Sequence, residues 1–250
     1  MLRSTLRTAC LAVALGLPLA CASAPAPSIS TTIVAGSEAE APPKNYIVGY
    51  GSLMEDASRE RTVKSARYAY PVIVEGFERG WFAQGGRGNF GITYLGAVAE
   101  PNAKIWAVIY DVSESDLAAT DAREGLYVRA EVRRDQLRMF KGMSIADDAK
   151  IWIYLAPDPS SVRTPDAAHP IVQSYVDVFI NGCLELQDRY QIADFAVHCL
   201  STTTGWSAHW VNDRIYPRRP FVHEPNAMTI DALLAGDPRT GEYFLGATRE

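Results

Sequence analysis

Tyr46-Ile47-Val48-Gly49-Tyr50-Gly51-Ser52-Leu53-Met54 is the stretch that decides the fold. Tyr46, Ile47 and Val48 form a short apolar run, and Gly49 and Gly51 stop it. The pattern predicts a buried strand that runs into a tight turn. Lacking Cβ atoms, the glycines let the backbone come close to a ligand. Successive N–H groups in such a turn, or at the start of a following helix, favour a carboxylate or an oxyanion. Ser52 adds a hydroxyl. The same residues also make an ordinary strand-to-turn connection with no ligand. Ser52 does not fit a nucleophile elbow, which needs glycine two residues before and two after the serine. Those positions hold Tyr50 and Met54.

Upstream, Met1–Arg7 carries two arginines and no acid, Cys10–Leu19 is almost wholly apolar, and small residues follow at 20–24. That order is the one of a secretory signal, expected over residues 1–22. The apolar run is shorter than the roughly 20 residues that span a bilayer; a retained membrane anchor is the alternative. Leu19-Ala20-Cys21 is similar to the bacterial lipoprotein signal, with Cys21 as the lipidated residue and membrane tether, although Pro18 stands where that pattern prefers leucine. Ala20-Cys21-Ala22 and Ala22-Ser23-Ala24 serve ordinary cleavage equally well. Residues 23–44, rich in Ala, Pro, Ser and Thr, read as a disordered tether. One domain is expected over 45–250. The localisation expected is therefore export to the periplasm or cell envelope.

Without Arg3 and Arg7 the formal charge moves from −5 to −7. An acidic chain with no basic run is a poor nucleic-acid binder. Cys183 and Cys199, the cysteines beyond the signal, are read either as a disulfide of an oxidising compartment or as two buried thiols. His169, His198, His209 and His223 lack ligand-like spacing, so no metal site is expected.

Strands are predicted around Val72–Val74, Ile105–Tyr110, Val128–Arg133 and Lys150–Ala156. Gln84–Asn89, with Gly85, Gly86 and Gly88, reads as a mobile loop. Ser113-Glu114-Ser115-Asp116 has capping-box spacing and opens a helix to about Arg123. Val128, Ala130 and Val132 alternate with charged residues, as in a strand with one wet face. Pro170 opens a helix with Ile171, Tyr175, Val178, Phe179 and Leu186 on one stripe. Another helix is expected over Arg189–Cys199 and a short one over Ile230–Leu234. Strands come first and helices later, which suggests an α+β fold.

A second candidate segment is Asp121-Ala122-Arg123-Glu124-Gly125-Leu126-Tyr127, where a helix hands over to a strand. Glu124, just before a glycine, points either into a cavity or, as most glutamates do, into water. Tyr127 either orients Glu124 or packs.

Together these segments resemble the γ-glutamylcyclotransferase-like (AIG2-like/ChaC-like) family. Ile47-Val48-Gly49-Tyr50-Gly51-Ser52-Leu53 is similar to its first signature, and Glu124-Gly125-Leu126-Tyr127 leading into Val128–Arg133 to its second. Thr93-Tyr94-Leu95-Gly96 and Ile105–Tyr110 are similar to its middle strands, and Tyr175–Gly182 to its late helix. The likeness covers about Tyr46 to Leu186, and the stretch from about 202 is a C-terminal extension. The resemblance implies a small mixed β-barrel flanked by helices. It implies an enzyme that cyclises a γ-glutamyl amine or peptide to 5-oxoproline and releases the amine, with no cofactor or metal. Glu124 matches the catalytic carboxylate, and Tyr50, Gly51, Ser52, Leu53 and Tyr175 match the substrate cradle. Tyr175 is equally a core position by periodicity. Leu53 stands where parts of the family carry asparagine and other branches leucine, which alters substrate expectations. An export signal is unexpected for enzymes of intracellular glutathione. The alternatives are a non-catalytic envelope protein that binds a small molecule or a partner, its pocket covered by Trp206, Trp210, Tyr216 and Phe221, and an amide hydrolase on the same fold.

Overall fold

A computed structural model describes residues 44–66, 68–87, 90–219 and 226–250. The signal segment, Cys21, nearly all of the tether, Phe221 and His223 lie outside the described residues.

Strand β1 (Asn45–Gly49) is buried along its length. It passes through a 3₁₀ turn (Ser52–Met54) into a short helix, α1 (Asp56–Glu60). Two long strands follow, β2 (Ala69–Arg87) and β3 (Phe90–Val112). Then come α2 (Glu114–Arg123), β4 (Val128–Glu131), β5 (Leu137–Met139) and β6 (Lys150–Leu155). A two-residue strand, β7 (Ile171–Val172), leads into the longest helix, α3 (Gln173–Tyr190). The remaining elements are α4 (Phe195–Ser201), β8 (Thr203–Thr204), β9 (Trp210–Asn212), α5 (Ala227–Gly236), α6 (Gly241–Leu245) and β10 (Thr248–Arg249).

The main sheet runs β4-β6-β1-β3-β2-β5, with β8 alongside β2. β1 lies between β3, antiparallel, and β6, parallel. The mixed α+β class is the expected one. The expected barrel is not closed: β4 and β5 stand at opposite ends of the path and do not pair among the described residues. β1 is continuously apolar because both its faces are covered. Ile47 joins the layer of Trp81, Tyr110, Val176, Phe179 and Ile180 beneath α3, whereas Tyr46 and Val48 join Val72, Val74, Ile105 and Ile151 on the other face.

Several predicted elements change. Gln84–Arg87 is not loop: it continues β2 and pairs with Phe90–Thr93 of β3, so Gly85 and Gly86 sit in a hairpin arm. The pattern reads as loop because glycine lowers strand propensity, yet pairing to a long partner overrides it. Gly76 does not end β2 but marks a register shift between Glu75 and Phe77, with φ +87. Ser113 caps α2 by accepting from the Asp116 N–H at 3.1 Å. The Asp116 carboxylate does not complete the box but accepts from Lys64 and Ser65. Val128 remains 46% exposed because β4 is an edge strand.

Pro170 precedes β7, which pairs with β9, so α3 starts later, at Gln173. Nor is α3 buried on one stripe: Gln173 to Leu184 are all buried, because the C-terminal elements cover the face that would otherwise meet water. The predicted helix over Arg189–Cys199 is interrupted where Gln191 and Asp194 take left-handed conformations (φ 52 and 59). Cys183 and Cys199 are buried free thiols.

Candidate active site

The C-terminal end of β1 opens into a cavity of about 300 Å³. Its walls include Tyr50, Gly51, Ser52 and Leu53 from the turn, Gly85 and Gly86 from β2, Tyr94 and Leu95 from β3, Arg123, Glu124 and Tyr127 from the end of α2, Tyr175 from α3, and Arg219. Tyr50, Gly51, Ser52, Leu53, Glu124 and Tyr175 therefore line one space, although Tyr50 and Tyr175 are 125 residues apart.

The turn is held from three sides. The Met54 N–H donates to the Gly51 carbonyl at 3.0 Å and closes the 3₁₀ turn. The Tyr50 hydroxyl donates to the Tyr154 carbonyl. Arg79, wholly buried in β2, donates from Nη1 to the Tyr50 carbonyl at 3.2 Å and to the Trp106 carbonyl at 2.8 Å. Gly51 is obligatory by space: a Cβ there would lie 2.8 Å from the Tyr175 hydroxyl. That hydroxyl faces the backbone N–H groups of Ser52 and Leu95. Tyr175 thus caps the inner end of the cradle as well as packing against Trp81 and Tyr94, with ring centroids 5.8 and 5.3 Å away.

Glu124 terminates α2, its N–H donating to the Thr120 carbonyl. Its side chain is 17% exposed. Burial pushes its carboxyl above the usual range, against the opposing pull of Arg123 and Arg219. Arg123 is the bridge between the two sequence motifs. Its Nε lies 3.2 Å from Glu124 Oε1, its Nη2 donates to Ser52 Oγ at 3.1 Å, and its Nη1 donates to the Ser58 carbonyl and to Thr62 Oγ1. Ser52 is therefore an acceptor from a cation and not an activated nucleophile. Tyr127 does not orient Glu124 through its hydroxyl, which donates to the Leu95 carbonyl at 2.9 Å. Burial raises the phenols of Tyr50, Tyr127 and Tyr175, so they remain protonated donors at neutral pH.

A model of the family described as gamma-glutamyl cyclotransferase, AIG2-like, matches residues 47–174, just over half of the chain. The chain belongs to that family. Among solved structures, one of a gamma-glutamyl cyclotransferase aligns with a TM-score of 0.50 and 15% identity, covering 75% of this chain and 98% of the other. A second, of an uncharacterized protein from Homo sapiens, gives the same TM-score and identity and covers 74% and 96%. At such identity these two likenesses show the fold. No curated protein sequence matches the chain.

Within this γ-glutamyl cyclotransferase domain the family span holds the turn and Glu124 but stops one residue before Tyr175, short of the Leu186 expected from the sequence. Arg79, Arg123 and Arg219 were not legible as site residues. Arg123 stood inside the second motif, where its neighbour Glu124 was the only hint. Arg79 stands between Glu78 and Gly80 in β2, and a charged residue there reads as solvated. Arg219 lies in a stretch with no recognised pattern. Of the tail aromatics, Trp210 is buried and stacks on Trp206, whereas Tyr216 is exposed. His198 stacks on Trp106 and His169 faces Asp166. Among the described residues no cluster of His, Cys, Asp and Glu could hold a metal ion, and no helix is long and apolar enough to cross a membrane.

Proposed function

We propose that the protein is an exported enzyme that cyclises a γ-glutamyl amine or peptide to 5-oxoproline. The observation that carries this reading is the coupling of a buried carboxylate, Glu124, to the Tyr50–Leu53 turn through Arg123. The γ-glutamyl α-ammonium must lose a proton to become a nucleophile. Glu124 accepts it, and a carboxyl raised above its usual value is a better match to that task near neutral pH. The amine nitrogen then forms a bond to the γ-carbonyl carbon. In this reading the tetrahedral oxyanion is bound by backbone N–H groups at the turn. As the ring closes the attacking nitrogen gives up a second proton, and collapse breaks the bond to the leaving nitrogen, which takes the two protons one after the other by way of Glu124 and departs as an ammonium ion. No water enters the balance, and the products are 5-oxoproline and the protonated amine. Export rests on the order of charge, apolar run and small residues over 1–22, with Cys21 as the candidate lipid attachment point.

The test is incubation of purified protein with a panel of γ-glutamyl amides, with detection of 5-oxoproline. Glu124→Gln keeps the shape but cannot take a proton. It is expected to lower kcat by about 10²–10⁴-fold while leaving the circular dichroism unchanged. Full activity in Glu124→Gln would refute the assignment. Free glutamate as product would indicate amide hydrolysis, and ligand-induced stabilisation without any product would indicate a binding protein.

A further inference from the structure

Arg219 lies 45 residues beyond the end of the family-matched span, yet it lines the same cavity as Glu124. Its guanidinium sits 5.4 Å from the Tyr175 ring centroid and 5.9 Å from that of Tyr94. Its Nε is buried with no hydrogen-bond partner, and among the described residues no carboxylate lies within ion-pair distance of it. The contrast with its neighbours is informative. Arg123 spends its donors on Glu124, Ser52, Ser58 and Thr62. Arg218 donates to the Gly91 carbonyl and to Glu250. Among the described residues nothing accepts from the Arg219 side chain, and a partly buried guanidinium in that condition is a strong, geometrically selective receptor for a carboxylate.

Its position is fixed. The Arg219 N–H donates to Ser174 Oγ, and Ser174 donates through both its N–H and its hydroxyl to Asp213, at 2.8 and 2.7 Å. Asp213, fully buried, also accepts from the Arg218 N–H at 2.7 Å. This knot ties the segment 213–219 to the first turn of α3, next to Tyr175. Arg219 and Tyr94 are shared between the inner cavity and an adjoining groove of about 760 Å³, whose walls include the exposed Phe90, Ile215 and Tyr216. A glutamyl group held by the turn and Glu124 would fill the inner space and direct the amine part of the substrate past Arg219 into the groove.

We infer that Arg219 is a specificity-determining residue that binds a carboxylate on the leaving part of the substrate, so that the preferred substrates are γ-glutamyl amino acids or peptides and not simple γ-glutamyl amines. The inference rests on the cyclotransferase reading for its turnover arm and on binding alone for its other arm. The probes are γ-glutamyl-phenylalanine and γ-glutamyl-phenethylamine, which differ by that carboxylate. Wild-type protein is expected to favour the former by about tenfold or more in kcat/KM, and in Kd measured calorimetrically on Glu124→Gln protein. Arg219→Gln should bring both ratios close to one, and Arg219→Lys, which keeps the charge but not the fork, should retain part of the preference. If turnover is absent but Arg219→Gln still removes the preference in binding, the inference stands and the cyclotransferase reading falls. If turnover occurs and the preference is missing in wild type or survives Arg219→Gln, the inference falls and the cyclotransferase reading stands. If the protein shows no turnover and does not bind the carboxylate probe, both the inference and the cyclotransferase reading fall.

Discussion

At the scale of single residues, Glu124 and Arg123 set a compromise between chemistry and stability. Burial raises the Glu124 carboxyl while Arg123 and Arg219 oppose the rise, and burial wins. A carboxyl whose folded value lies above its unfolded value costs the native state free energy when it ionises. Below the ordinary value of about 4.3 it is protonated in both states and the cost is absent. As pH rises through the raised folded value the cost appears in full. Glu124→Gln is therefore expected to have the same melting temperature as wild type at pH 4 and a higher one at pH 8. A melting series across that range checks this, and a variant less stable at pH 8 than at pH 4, relative to wild type, would show that the Arg123 contact outweighs burial. Glu124 was legible in the sequence because a glutamate before a glycine at a helix end belongs to a family pattern. Arg123 was not singled out, since a basic residue in the last turn of a helix is normally explained by the helix dipole; its actual partners come from the turn some 70 residues earlier, which no local pattern encodes.

At the scale of elements, the site depends on how α3 and β2 seat the turn. α3 packs directly on the backbone of 54–55: a Cβ on Gly182 would fall 2.3 Å from the Glu55 nitrogen and 2.4 Å from the Met54 carbonyl carbon. From the other side, Arg79 of β2 joins the Tyr50 carbonyl to Trp106 in β3, to the Cys199 carbonyl, and to the hydroxyls of Thr202 and Thr203. Its guanidinium lies 4.6 Å from the Phe179 ring centroid. It is a buried cation served by neutral acceptors, and burial lowers its pKa. Arg79→Met would retain the stem packing and remove every donor, leaving the Tyr50 carbonyl without its partner, whereas the Cys199 and Trp106 carbonyls keep Thr203 Oγ1 and Cys199 Sγ. At about 1–3 kcal/mol for an unsatisfied buried group, a loss of that order is expected in chemical denaturation, with a rise in KM because the Tyr50 carbonyl is released. An unchanged denaturation midpoint would mean that the freed carbonyl finds another donor. The strands and α2 were readable because their hydrophobic periods are local. The hairpin arm at 84–87, the all-round burial of α3 and the role of Arg79 were not, because each is imposed by a partner remote in the chain.

At the scale of the whole molecule, the stretch from about 202, outside the residues matched to the family, contributes buried side chains to the core around α3. Trp210, Ile230 and Leu234 are buried in the same cluster as Tyr175, Val176 and Phe179. β8 extends the main sheet beside β2, and β9 pairs with β7 at the foot of α3. Arg214 closes the arrangement with both Asp177 oxygens at 2.7 Å and with Asp231, so that α3, the 213–219 segment and α5 meet in one polar knot. Asp177 is 4% exposed, and burial lifts its carboxyl despite Arg214, so the pair acts mainly to fix position, since desolvation offsets much of its attraction. Removing residues 202–250 would uncover Val176 and Phe179, strip Asp177 of its partner and withdraw Arg219 from the cavity. Each large apolar side chain re-exposed costs about 1.5–3 kcal/mol, against a total stability of about 5–15 kcal/mol for an ordinary domain. A chain ending at Ser201 is therefore expected to be insoluble or to lack a cooperative thermal transition and near-ultraviolet circular dichroism, even though it retains the entire family-matched span. A truncated chain that melts cooperatively and turns over γ-glutamyl-phenethylamine would show that the family domain folds alone and that the extension serves only to supply Arg219.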